Sequence, residues 1–161
     1  MSVVTLLAMV VLGPILGWLL VGRHRWVWWL LAASLLPIVL TTLLPTDRQV
    51  QSFCAVQWSL PTPGRVELMA NVVLFVAPAL LLAVASRRPL LAAAAGSGLS
   101  AAIELAQALI PAIGRSCDTT DWTSNTIGTV IGAVLGWAAL RLAPEDSGVR
   151  AEGAKRIVRR G

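Results

Sequence analysis

Charged residues are scarce in this sequence of 161 residues, where Asp, Glu, Lys and Arg together make up only 13% of the chain. A soluble globular domain contains about 25% charged residues, so this scarcity excludes an ordinary soluble protein. Hydrophobic residues make up 57% of the chain, which indicates an integral membrane protein. At this length we expect a single transmembrane domain over residues 1–142.

Histidine and cysteine are also rare, since the chain contains one histidine, His24, and two cysteines. A structural zinc site usually takes four such ligands, so we predict neither a metal nor another cofactor. The net charge of +5 is not accompanied by a nucleic-acid-binding motif. We therefore expect the lipid bilayer as a partner and no nucleic acid, and the oligomeric state stays open.

Five stretches are long and apolar enough to cross a membrane, which takes about 20 mostly apolar residues. They are residues 3–21, 26–44, 68–85, 90–113 and 122–142. The sequence therefore predicts an all-α bundle of five transmembrane helices. The connection between the second and third helices is rich in proline and is expected to be an irregular loop. The first stretch is not predicted to be a signal peptide, because Arg23 and Arg25 follow its apolar run instead of preceding it.

The basic residues predict how the bundle is oriented. Ten of the 13 fall on one side of the predicted topology, namely Arg23, Arg25, Arg87, Arg88, Arg141, Arg150, Lys155, Arg156, Arg159 and Arg160. Only Arg48, Arg65 and Arg115 fall on the other side. Because cytoplasmic loops are enriched in Lys and Arg, we expect the N-terminus outside and the C-terminus in the cytoplasm. Residues 143–161 are expected to form a basic, disordered cytoplasmic tail.

This topology places Cys54 and Cys117 on the same, outer side of the membrane. Disulfides form and persist in oxidising compartments outside the cytoplasm. We therefore predict a disulfide between the two cysteines, with two unpaired thiols as the alternative.

Small residues recur at helical spacing in the last two predicted helices. The fifth contains Gly128, Gly132 and Gly136, and the fourth contains Ala92, Gly96 and Ser100, in line with Glu104. Ridges of small residues let neighbouring membrane helices approach closely. We expect the glycine ridge to bring the fifth helix against the fourth, with packing between two copies of the chain as the alternative.

Glu104 lies inside the fourth apolar stretch, where an ionised side chain costs about 2.5–3.5 kcal/mol on insertion scales. Further polar residues are predicted near the same depth, in the outer half of the membrane. The candidate ligand-binding residues are Asn71, Glu104, Gln107, Arg115, Asp118, Asp121 and Asn125. We expect them to converge, with Arg115 pairing with the acids and Asp121 or Thr123 capping the fifth helix. The alternative is a buried cluster that only sets the register of the helices.

These polar residues form an ordered pattern along the chain. It comprises Asn71-Val-Val-Leu-Phe-Val-Ala-Pro78, then Ile103-Glu104-Leu-Ala-Gln107, then Arg115…Asp118…Asp121…Asn125-Thr-Ile-Gly128…Gly132. Over about residues 30–142 the pattern resembles the VanZ-like family, which is named for a teicoplanin-resistance membrane protein. Many members have the proline closer to the aromatic residue than Pro78 is to Phe75.

The resemblance implies a multi-pass protein of the bacterial plasma membrane with a role in the cell envelope, and resistance to teicoplanin for the founding member of the family. Three functions stay open. The favoured one is a module that binds a lipid-linked cell-wall intermediate or a lipoglycopeptide antibiotic at the outer leaflet. The second is an enzyme acting on a lipid-linked substrate, with Glu104 or Asp121 as the general acid–base group. The third is a structural or assembly protein whose polar cluster only holds the helices together.

Overall fold

The structure, a computed structural model, describes residues 2–46 and 54–143. Its helices are α1 (Ser2–Leu20), α2 (His24–Thr42), α3 (Val66–Ser86), α4 (Pro89–Leu109) and α5 (Thr119–Leu142), with a short 3-10 helix at Pro111–Ile113. All five α-helices are long and apolar enough to cross a membrane. The β pairing among the described residues is an isolated bridge between Ala55 and Asp118. These findings confirm the predicted all-α bundle of five membrane helices.

Two parts of the sequence-based topology are not addressed by this fold. The orientation of the bundle in the membrane stays a prediction. Beyond residue 143, the tail that is expected to be disordered lies outside the described residues, and so does Arg48.

Helix α3 lies at the centre of the bundle and contacts the other four helices. Its only charged residue is Glu67 in the first turn. Its buried side chains, among them Val76 and Leu80, pack against Leu31 of α2 and Leu135 of α5. A second cluster joins Phe75 of α3 to α2 and α4. Most of the apolar surface of α3 is therefore covered by the other helices.

The glycine ridge of α5 packs against α3, and not against α4 as the sequence had predicted. A Cβ atom at Gly128 would overlap the backbone oxygen of Val72, and one at Gly132 would overlap the backbone oxygen of Val76. Only glycine therefore allows the two backbones to lie this close. Helix α4 meets a different face of α5, the polar face that carries Asn125 and Thr129, so the glycines are turned away from it.

Two helix boundaries differ from their predicted positions by three residues or more. Helix α4 ends at Leu109, because Pro111 disfavours helical geometry at the preceding residue, and Ile110 has φ −122° and ψ 79°. Helix α5 begins at Thr119, three residues before its predicted start. The side chain of Asp118 caps it by accepting a hydrogen bond from the backbone N–H of Thr120, so the predicted caps, Asp121 and Thr123, are wrong.

Candidate functional site

One end of the bundle, which we call the disulfide end, gathers residues 54–65, residues 110–118, the end of α2 and the starts of α3 and α5. The predicted disulfide between Cys54 and Cys117 is present here and joins positions 63 residues apart. Beside it, Ala55 donates a backbone hydrogen bond to the carbonyl oxygen of Cys117 at 2.9 Å, and Thr119 donates one to Ala55 at 3.1 Å. The connection between α2 and α3 is therefore fastened to the start of α5.

Glu104 is buried in this end of the bundle, with 7% of its surface exposed. Its Oε2 atom accepts a hydrogen bond from the backbone N–H of Asp118 at 2.8 Å. The start of a helix presents backbone N–H groups and the positive end of the helix dipole, both of which favour a nearby negative charge. Glu104 of α4 thus stabilises the beginning of α5.

Arg115 does not pair with the acids, contrary to the sequence-based expectation. Within residues 2–46 and 54–143 the structure contains no ion pair between Arg115 and a carboxylate, and its buried Nε atom has no hydrogen-bond partner. The acids instead accept hydrogen bonds from backbone N–H groups and from side-chain amides.

The two aspartates each connect separate parts of the chain. Asp118 accepts hydrogen bonds from the backbone N–H of Thr120 at 2.8 Å through Oδ1 and from the side-chain amide of Gln57 through Oδ2. Asp121 accepts a hydrogen bond from Nδ2 of Asn71 at 2.8 Å. The bond between Asn71 and Asp121 joins α3 to α5, and the bond between Gln57 and Asp118 joins the connection between α2 and α3 to the start of α5.

Gln107 and Asn125 are buried between helices. Gln107 of α4 donates a hydrogen bond to the backbone oxygen of Thr42 at the end of α2, at 3.0 Å. Asn125 of α5 donates one to the hydroxyl of Ser100 on α4, at 2.9 Å, while its own Oδ1 atom is buried without a partner. Together with Glu104, these side chains tie α4 to its neighbours.

A polar cleft of about 450 Å³ opens at the disulfide end, and we call it the disulfide-end cleft. Its lining residues come from the connection and from the starts of α3 and α5: Gln57, Gly64, Arg65, Val66, Glu67, Leu68, Asp118, Thr120 and Asp121. With three carboxylates and one guanidinium, the cleft carries an excess of negative charge.

The seven residues predicted to bind a ligand therefore separate into groups. Asp118 and Asp121 line the cleft, and Asn71 is bonded to one of them. The other four do not line it: Glu104, Gln107, Arg115 and Asn125. No group of three or more His, Cys, Asp or Glu side chains able to hold a metal occurs in the part of the chain that the structure describes.

Sequence reasoning missed four polar residues of the cleft, namely Gln57, Arg65, Glu67 and Thr120. A usable signal was present for two of them. Arg65 and Glu67 flank the start of the third helix, and the predicted topology places that start at the same end as Asp118.

Replacing Glu104 separates its role as a hydrogen-bond acceptor from its charge. Glu104→Gln keeps an acceptor oxygen for the N–H of Asp118, whereas Glu104→Leu leaves that buried N–H without one. We expect Glu104→Leu to have a free energy of unfolding lower than that of Glu104→Gln by about 1–3 kcal/mol, the cost of a buried unsatisfied polar group. Unfolding in detergent micelles measures the difference, and equal stability of the two variants would contradict this role.

A comparison with protein families identifies the part of the chain that contains these polar residues. The family model VanZ/LLP1 matches residues 6–141, which include the core of the bundle and all the polar residues of the disulfide end. Comparisons with curated proteins and with solved structures find no match. Because the family match covers most of the chain, this multi-pass membrane protein belongs to the VanZ/LLP1 family.

Proposed function

We propose that this VanZ-like protein binds the polar headgroup of a lipid-linked ligand in the disulfide-end cleft, at the outer face of the bacterial plasma membrane. The observation that carries the proposal is the cleft itself. It is open and lined by Arg65, Glu67, Asp118 and Asp121, at the end of helices that are otherwise apolar. A ligand bound there would have its headgroup among charges and its hydrocarbon chain beside the bundle.

The charges of the cleft favour a headgroup that carries both negatively and positively charged groups. A guanidinium pairs well with phosphate because its N–H donors match two phosphate oxygens, which suits Arg65. The carboxylates of Glu67 and Asp121 accept hydrogen bonds from amines and hydroxyls. A lipid-linked cell-wall intermediate combines phosphate with such groups, and a lipoglycopeptide such as teicoplanin carries amines and hydroxyls beside an acyl chain. Resistance to teicoplanin would follow if the antibiotic were the ligand captured.

Two tryptophans support a position of the cleft at the depth of the lipid headgroups. Trp58 of the connection and Trp122 of α5 contact each other edge to face, with ring centroids 6.4 Å apart. Tryptophan is enriched at the membrane–water interface, where its ring is partly in lipid and its N–H meets polar groups.

The buried polar residues support a structural role beside the binding role. Glu104, Gln107 and Asn125 bond across helices and lie away from the cleft. On this proposal they hold the walls of the cleft in place and do not touch the ligand. The enzymatic alternative would then rest on Asp121, since Asp121 lines the cleft and Glu104 does not.

A titration of the protein in nanodiscs tests the proposal, with a fluorescent lipid-linked cell-wall intermediate and, separately, with teicoplanin. We expect Arg65→Gln and Asp121→Asn each to weaken binding of the true ligand about tenfold or more, as the loss of a hydrogen bond to a charged group does. Arg115→Gln is the matched control, because it removes the same charge from the same end of the bundle outside the cleft.

The outcome of the titration is decided by comparing the two arginine variants. Equal weakening by Arg65→Gln and Arg115→Gln would show a diffuse effect of charge and would overturn the cleft as the binding site. Binding of neither ligand by the unmodified protein would overturn the proposed ligand class.

A further inference from the structure

A second cavity lies along α1, where that helix faces α2 and α3, and we call it the α1 groove. Its volume is about 640 Å³. Helices α1 and α2 are joined by only three residues, yet they make few contacts with each other. Helix α1 packs instead on α3 and α5, through the buried Gly13 and Gly17.

The glycines explain why the groove exists. A Cβ atom at Gly17 would lie 2.7 Å from the Cβ of Ala139, and one at Gly13 would lie 3.0 Å from Cδ1 of Leu80. The helix face of α1 that carries Gly13 and Gly17 is therefore in contact with α3 and α5. The groove beside them is lined mainly by large apolar side chains, such as Leu12 and Leu16, with smaller residues such as Ala8 between them.

The groove is apolar along its length and charged at one end. Its α1 side runs from Thr5 to Leu20 and continues to Arg23 in the turn that follows. The helical part is about 22 Å long at a rise of 1.5 Å per residue, most of the thickness of the bilayer core, about 30 Å. Arg23 is the one charged residue among those lining it, and it lies in the turn before α2, at the opposite end of the bundle from the disulfide. The hydroxyl of Ser34, midway along, is already bonded to the backbone oxygen of Leu31.

We infer that the α1 groove is a binding site for a membrane lipid with an anionic headgroup. The hydrocarbon chain lies against the leucines of the groove, and the phosphate pairs with the guanidinium of Arg23. Water is a poor occupant, because the walls offer few polar partners. A helix of a second copy in the same orientation fits less well, because the five helices carry no carboxylate at the end of the bundle where Arg23 lies.

Native mass spectrometry tests this inference on the full chain. The protein is reconstituted with equal amounts of dioleoylphosphatidylglycerol and dioleoylphosphatidylcholine, transferred to mild detergent, and the ratio of the two lipids retained is measured. We expect the anionic lipid to be retained preferentially. Arg23→Gln should lower the ratio about fivefold, as the loss of one basic residue beside anionic lipid does. Arg25→Gln, in the first turn of α2 and outside the groove, should leave the ratio nearly unchanged.

A second pair of variants tests whether the hydrocarbon chain of the lipid binds in the groove. Ala8→Trp fills the groove and should reduce retention of both lipids, whereas Leu7→Trp, on the exposed side of α1, should not. If Ala8→Trp fails to fold, the two arginine variants decide, because both replace an exposed side chain. Equal retention of the two lipids, or equal loss with Arg23→Gln and Arg25→Gln, would overturn the inference. A dimer without lipid would show instead that a second copy covers the groove.

Discussion

Reduction of the disulfide between Cys54 and Cys117 is expected to lower the free energy of unfolding by about 2–4 kcal/mol, the usual range for a native disulfide. The bond joins positions 63 residues apart, and closing a loop of this length removes much freedom from the unfolded chain. The membrane holds α3 and α4 in place even when helix packing is lost, so the effect should fall below the upper limit of the entropy model. Thermal unfolding in detergent, with and without reductant, measures the change.

The double variant Cys54→Ser, Cys117→Ser controls for other effects of the reductant. It should unfold at the same lower temperature whether or not reductant is present. The backbone hydrogen bonds of Ala55 to Cys117 and Thr119 do not need the sulfur atoms, so the folded state should persist. An unchanged unfolding temperature of the wild-type protein on reduction would contradict the stabilising role of the bond.

Replacing Gly128 or Gly132 with alanine is expected to cost about 3 kcal/mol of stability, at the upper end of the range for overpacking. In both cases the new methyl group would overlap a backbone oxygen of α3, which cannot rotate away as a side chain can. Helices α3 and α5 would have to separate, and the hydrogen bond between Asn71 and Asp121 spans the same interface.

Gly98→Ala is the matched control for the glycine variants. A Cβ atom at Gly98 would meet nothing within 4 Å, and alanine has the higher helix propensity. We expect this variant to be as stable as the wild-type protein or slightly more stable in the same unfolding experiment. Equal loss of stability in Gly98→Ala and Gly132→Ala would show that close packing is not the cause.

Hydropathy and charge predicted much of the fold. The five spans follow from long apolar runs, because the bilayer sets their length. The shared side of Cys54 and Cys117 was predicted from the basic residues alone, and the disulfide in the structure agrees with it. Both predictions rest on hydropathy and on the distribution of charge along the sequence, and neither requires the contacts of individual side chains.

The partners of individual side chains could not be predicted in the same way. The spacing of Gly128 and Gly132 shows that they share a helix face, but not that α3 covers it. Arg115 was expected to pair with a carboxylate because it was predicted at the same depth of the membrane as the acids. The structure shows that hydrogen bonds from the backbone, such as the one from Asp118 to Glu104, compete for those acids. The cleft residue Gln57 lies in an irregular segment whose path depends on the disulfide.

The most direct measurement of the central claim is photo-cross-linking of the headgroup in the disulfide-end cleft. A photoreactive amino acid at Val66, which lines the cleft, should capture a lipid-linked cell-wall intermediate or teicoplanin, and capture should fall when Asp121→Asn is added. The same group at Leu109, exposed at the same end but outside the cleft, should capture little. Equal capture at the two positions, unaffected by Asp121→Asn, would contradict a headgroup site in this cleft.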